Sequence, residues 1–261
     1  MCKMKGKLAG LYKKELSVFF SMPVAYAVLA VFMVLSGYFF ASIVNQYAEF
    51  SLRSMSSQQR QMIDMNMIEW IFRPYFHNIL VILVFMMPLV TMRLFAEEKR
   101  EGTSELLFTY PVKDFTVVMS KFLSAMTVYA LMLVSSAACF IMLGFITKYE
   151  LLPVLAGMLG LFLAGGAFIM LGIFISSLTE SQIVSGVITL GALLLSLVMP
   201  WIAQAAGPSW QKIIMALSVQ QQFDSFAKGV LDTANLAFFI NIMVLFFFLT
   251  LRSLETKKWR G

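Results

Sequence analysis

The sequence predicts an all-α integral membrane protein of about six transmembrane helices, preceded by an N-terminal interfacial amphipathic helix. Three observations predict it. Of the 261 residues, 60% are hydrophobic and 13% charged, against roughly 45–50% and about 25% in soluble domains. The apolar residues form unbroken runs of about 20, enough at ~1.5 Å per residue to cross ~30 Å of hydrocarbon. The basic residues sit at the ends of those runs rather than along one stripe with interleaved aromatics. The net charge of +6 therefore marks topology and argues against a nucleic-acid partner.

Taken in order, residues 1–23 carry Lys3, Lys5, Lys7, Lys13 and Lys14, then Leu16, Val18, Phe19 and Phe20, stopped by Pro23. That pattern suits a basic helix in the headgroup layer, with a disordered basic leader as the alternative. Residues 24–44 form the first expected span. Its apolar run is longer than a signal-peptide core of roughly 7–15 residues, so it stays attached. A polar loop from Asn45 to Arg73 with a short outer helix follows. Residues 74–92 are the second span, opened by Pro74 where a missing N–H costs little, and 93–114 is a charged segment. Residues 115–146 exceed a bilayer's need, so the start near Lys121 is expected to protrude into the cytoplasm. Spans at 151–178, 183–203 and 234–251 complete one domain over 1–261. Gln204 to Thr233 is a second outer segment, and Arg252 to Gly261 a basic tail.

Lysine and arginine bias, rather than net charge, sets orientation. The N-terminal segment, residues 93–121 and the tail hold 5, 5 and 4 of them. The other six are Arg53, Arg60, Arg73, Lys148, Lys212 and Lys228. Both termini are therefore expected in the cytoplasm, which an even number of spans permits.

Catalysis needs convergent groups that titrate or ligate, and the inventory is thin. There is one histidine, His77, expected to hydrogen-bond at the outer interface, and two cysteines, Cys2 and Cys139, expected as free thiols. No His-Glu-x-x-His, paired-cysteine or Gly-x-Ser-x-Gly pattern occurs. Nor does a Gly-x-x-x-x-Gly-Lys-Ser/Thr loop, so any ATP must be bound elsewhere.

The informative stretch runs from Ala96 to Val112. Thr103 or Ser104 can cap a short helix carrying Glu105 at its start and Leu106, Leu107 and Phe108 on one face, ended by Pro111. A charged connector with such a helix suits a groove on a soluble partner; a solvated loop is the other reading. Glu97-Glu98-Lys99-Arg100, Gly102-Thr103, Glu105-Leu106-Leu107 and Pro111-Val112 together resemble the loop after the second span in permease subunits of the ABC-2 class of ATP-binding-cassette transporters. Gln222-Phe223-Asp224-Ser225-Phe226-Ala227-Lys228-Gly229 onward to Thr233 resembles the gliding-motility-associated members of that class.

The resemblance implies that this stretch is the coupling helix seated on an ATPase. It implies a complex of two permease chains, alike or different, with two ATPase chains that hold ATP and Mg, this chain carrying no cofactor. It also implies an exporter in a bacterial inner membrane, residues 1–23 as the interfacial elbow, and an outer accessory protein for any periplasmic work. The rival reading is a non-transporting anchor that passes ATPase-driven motion to an outer partner.

Ala156, Gly160 and Ala164 recur every fourth residue, followed by Gly165, Gly166 and Gly172. Such spacing lets helix backbones approach closely in lipid, within the chain, at a dimer seam or along a substrate path. The 20 methionines and 25 phenylalanines suit lipid contact or a soft apolar conduit. Trp70, Trp201, Trp210 and Trp259 fall near expected membrane boundaries.

Overall fold

The computed structural model describes residues 2–56, 66–102, 113–205 and 207–258. Among them the chain is helical, with no strand. The elements are α1 (Cys2–Ser21), α2 (Pro23–Ser56), a π-helical turn (Ile68–Phe72), α3 (Arg73–Thr91), α4 (Ala96–Arg100), α5 (Asp114–Ile146), α6 (Leu151–Leu178), α7 (Gln182–Ala205), α8 (Pro208–Leu217), α9 (Val219–Ala227) and α10 (Thr233–Lys258).

Among the described residues, six stretches are long and apolar enough to cross a bilayer: Pro23–Leu52, Ile68–Arg100, Asp114–Ile146, Leu151–Leu178, Gln182–Ala205 and Thr233–Thr256. In hydrocarbon each backbone N–H and C=O must be satisfied within its own segment, which is why these runs are helices. The chain is an all-α integral membrane protein.

Pro23 separates α1 from α2. It has no N–H to donate and its ring collides with the preceding turn, so the junction is held by Ala25 N–H donating to Met22 O at 3.3 Å. The N-terminal segment is thus helical, not a disordered leader. α2 extends to Ser56, beyond the end expected near Val44.

The middle of the bundle is α6, packed by α3, α5, α7, α9 and α10. Its small residues face neighbours within this chain. Ala156 and Ala164 are buried, a Cβ on Gly160 would fall 2.5 Å from Phe226 Cβ, and one on Gly172 would fall 2.1 Å from Thr91 Oγ1. The stripe is an intrachain packing surface. A polar trio pins three helices together inside the apolar core: Tyr75 OH lies 2.8 Å from Ser36 Oγ and 2.7 Å from Ser136 Oγ, joining α3 to α2 and α5.

Of the two short helices between α7 and α10, α9 packs into the bundle. In α9, Val219, Phe223, Phe226 and Ala227 recur at i, i+4, i+7 and i+8 and are all buried, as an amphipathic stripe facing a core should be. Ser218 caps α9 by accepting from Gln221 N–H at 3.3 Å. This is the serine-to-third-residue bond of a capping box, a signal the sequence carried in Ser218-Val-Gln-Gln221. Gly229 then turns the chain with φ +83 beside Pro153, where a Cβ would lie 2.8 Å from backbone.

One end of the bundle gathers three basic segments. α1 meets α4 and α5 through Lys14, Glu15, Glu98 and Lys121. The end of α6 meets α4 and also α10, where Ser177 Oγ donates to Ser253 Oγ at 3.2 Å.

Candidate functional site

Of the sequence-derived coupling residues, Glu97, Glu98, Lys99, Arg100 and Gly102 lie among the described residues; Thr103, Glu105, Leu106, Leu107 and Pro111 lie outside them. Glu97 to Arg100, expected as a connector, form the helical turn α4. Its first turn holds Glu97 and Glu98 and its last Lys99 and Arg100, the arrangement that complements a helix dipole. Its start is capped from afar: Ser176 Oγ on α6 accepts from Phe95 N–H at 3.0 Å and Ala96 N–H at 3.1 Å, and donates to Met92 O at 3.2 Å. Gly102 closes the turn with φ +69, a conformation glycine enters freely.

The four charges divide into two pairs. Glu98 and Lys99 bind inward. Lys121 Nζ stands 2.9 Å from Glu98 Oε2 and 3.2 Å from Glu15 Oε2, and 5.0 Å from the centre of the Phe95 ring, a cation–π contact. Lys14 Nζ adds a bond of 3.2 Å to Glu98 Oε1. Lys99 Nζ donates to Ser177 O. By contrast Glu97 is half-buried and Arg100 is exposed, as are Glu101 and Gly102.

Lys121 is 1% exposed. Protein covers it: α1 lies across this part of α5 and brings Glu15 onto the ammonium, while Tyr12 OH and Thr127 Oγ1 meet at 2.8 Å. Two lysines and two glutamates cancel, which is how so buried a charge is tolerated, since an unpaired one would cost several kcal/mol. Burial pulls the Lys14 ammonium down, but the charges of Glu98 and Glu15 outweigh it and hold its pKa above the ordinary lysine value. The sequence signal for this quartet was a lysine inside an apolar run and a lone acid in a basic helix, residues seldom buried unless paired.

A second cluster lies at the opposite end of α3. Arg73 grips Asp224 of α9 with two bonds, Nε to Oδ1 at 2.9 Å and Nη2 to Oδ2 at 3.2 Å, and donates to Glu69 Oε2 at 2.9 Å. Lys228 Nζ reaches Asp224 Oδ2 at 2.7 Å. His77 Nδ1 donates to Arg73 O at 2.9 Å, and its Nε2 faces Asp224 Oδ1 at 3.5 Å. Burial pushes the Asp224 carboxyl up, but hydrogen bonds from Lys228 and Arg73 and their charges more than reverse it, leaving the pKa below the ordinary value. His77 is thus part of a structural clamp between α3 and α9. Among the described residues no three His, Cys, Asp or Glu side chains gather as a metal-ligand set.

Membrane-crossing helices, joined at one end by a charged and partly exposed turn, define a polytopic membrane protein. The family model described as "ABC-2 family transporter protein" matches residues 40–252, and the chain belongs to that family. It is a membrane component of an ATP-binding-cassette transporter, of a kind that associates with ATPase subunits and is typically not itself catalytic. The match excludes α1, although α1 supplies half of the Lys121 quartet. No curated protein matches the chain.

Proposed function

We propose that this chain is the permease subunit of an ATP-binding-cassette exporter, energised by a separate ATPase polypeptide docked on the segment from Glu97 to Pro111. The observation that carries this reading is the wiring of α4. Glu98 ties it to α1 and α5, and Ser176 with Ser177 ties it to α6. A displacement imposed there by a docked subunit is therefore delivered to three helices at once, while Arg100, Glu101 and Gly102 remain accessible to the subunit that imposes it.

The working unit is two permease chains and two ATPase chains, with ATP and Mg in the ATPases. Both termini and residues 93–121 lie in the cytoplasm of a bacterial inner membrane. Support comes from the 14 of 20 lysines and arginines in the N-terminal segment, residues 93–121 and the tail, because those segments converge at one end of the bundle. The Gln222 to Thr233 stretch supports a place near the gliding-motility-associated members.

Affinity purification of the tagged chain from its native membrane tests the reading. A nucleotide-binding subunit carrying a phosphate-binding loop should co-purify, and Arg100→Glu with Glu97→Lys should release it while the permease still inserts. Recovery of the intact permease with no such subunit would defeat the proposal.

A further inference from the structure

Beside the Lys121 quartet runs a groove of about 290 Å³ between α1 and the end of α3, lined by Val18, Phe19, Met22, Arg93, Glu97 and Glu101 as well as the quartet itself. The four quartet charges answer one another. What faces the groove unanswered is one guanidinium and two carboxylates. Among the described residues, Arg93 Nη1 donates to the thioether Sδ of Met22 at 3.0 Å, a weak acceptor, and the buried Nε of Arg93 has no partner. A guanidinium so placed lacks the planar oxyanion its fork is shaped to hold. Glu97 and Glu101, four residues apart along the chain, make no ion pair among the described residues.

Phe19, Met22 and Arg93 also line a narrower recess that continues past Val24, Val28 and Leu89. Phe19, Met22 and Arg93 thus wall both the groove, which carries the charges, and an apolar recess beside it.

We infer that this groove is a binding site for a zwitterionic phospholipid with a primary ammonium headgroup. Its phosphate accepts from Arg93, its ammonium donates to Glu97 and Glu101, and an acyl chain lies along the recess beside Val24 and Leu89. The charge pattern selects among lipids. An anionic glycerol headgroup offers the phosphate but no cation for the two carboxylates. A choline headgroup carries a cation without an N–H to donate. A lipid seated there fills the space between α1 and α3 and holds α1 against the bundle. The inference rests on the chain being embedded in a membrane and not on its being an exporter.

Native mass spectrometry of delipidated protein, titrated with dioleoyl lipids bearing ethanolamine, choline or glycerol headgroups, tests it without any ATPase present. The ethanolamine lipid should be retained roughly ten-fold better than the other two, as charge-assisted hydrogen bonds suggest. Glu97→Gln with Glu101→Gln, which keeps side-chain size while removing both charges, should bring ethanolamine and choline lipids to equal retention. Arg93→Gln should weaken both, with Arg93→Lys intermediate because it keeps charge but loses the fork. Equal retention of all three lipids by the unaltered protein, preference for the glycerol lipid, or an ethanolamine preference that survives the double glutamine change would overturn the inference.

Discussion

Lys121 Nζ and Glu98 Oε2 stand 2.9 Å apart, joining the start of a membrane-spanning helix to the charged turn that follows another. The pair is held by burial on one side, Lys121 being 1% exposed, and by Glu15 and Lys14 on the other. Removing Lys121 leaves the Glu98 and Glu15 carboxylates without the ammonium that joins them. Lys121→Met should cost about 3–5 kcal/mol, and Glu98→Gln less, because Lys121 keeps Glu15. The double variant should cost less than the sum, with a coupling of ~0.5–3 kcal/mol in thermal or denaturant unfolding. Strict additivity would show that the two residues do not interact.

Two glycines with positive φ separate backbone strain from collision. Gly102 has open space where a Cβ would go, so Gly102→Ala should cost roughly 1–2 kcal/mol of local backbone energy, and Gly102→Asn less. Gly229 abuts Pro153, and Gly229→Ala should lower the unfolding temperature distinctly more. Equal effects would mean that the Pro153 contact yields at no cost.

Gly172 and Thr91 set the approach of α6 to α3. Gly172→Ala should destabilise by ~1–3 kcal/mol through overpacking. Exchanging the small residue, Gly172→Ala with Thr91→Gly, should recover part of that loss. A double variant worse than the sum of the singles would place the strain elsewhere.

Asp224 gives a pH signature. Its pKa is held below the ordinary value in the fold, so its stabilisation is present above the unfolded value of about 3.9 and is lost as pH falls through the lower folded one. In a His77→Gln background, the stability gap between Asp224 and Asp224→Asn proteins should be flat above about pH 5 and narrow below about pH 4. A gap that widens on acidification would contradict the clamp.

Orientation follows from labelling intact cells with a membrane-impermeant maleimide, in a background lacking Cys2 and Cys139. Lys212→Cys on α8 should react from outside and Glu101→Cys should not. The reverse pattern would invert the topology and put α4 out of reach of any cytoplasmic ATPase, against the proposed docking.

The primary sequence already specifies the solvent and the helical secondary structure. Apolar runs as long as the bilayer is thick leave a helix as the way to satisfy the backbone, and lysines at their ends mark which segments share a side. It also carries the wording around Glu97 to Pro111 that resembles the ABC-2 class, since a short motif is written in contiguous residues. Tertiary structure alone decided what those residues touch. Glu98 lies 23 positions from Lys121 and 83 from Glu15 in the chain, and only the packing of α1 across α5 brings the three together. Likewise, Phe223 and Phe226 sit among polar neighbours in the chain, and their burial depends on Gly160 leaving room on α6. Periodicity reports which way a side chain faces along its own helix. Which partner it meets is fixed by long-range packing, for which hydrophobicity, being non-directional, leaves no local record.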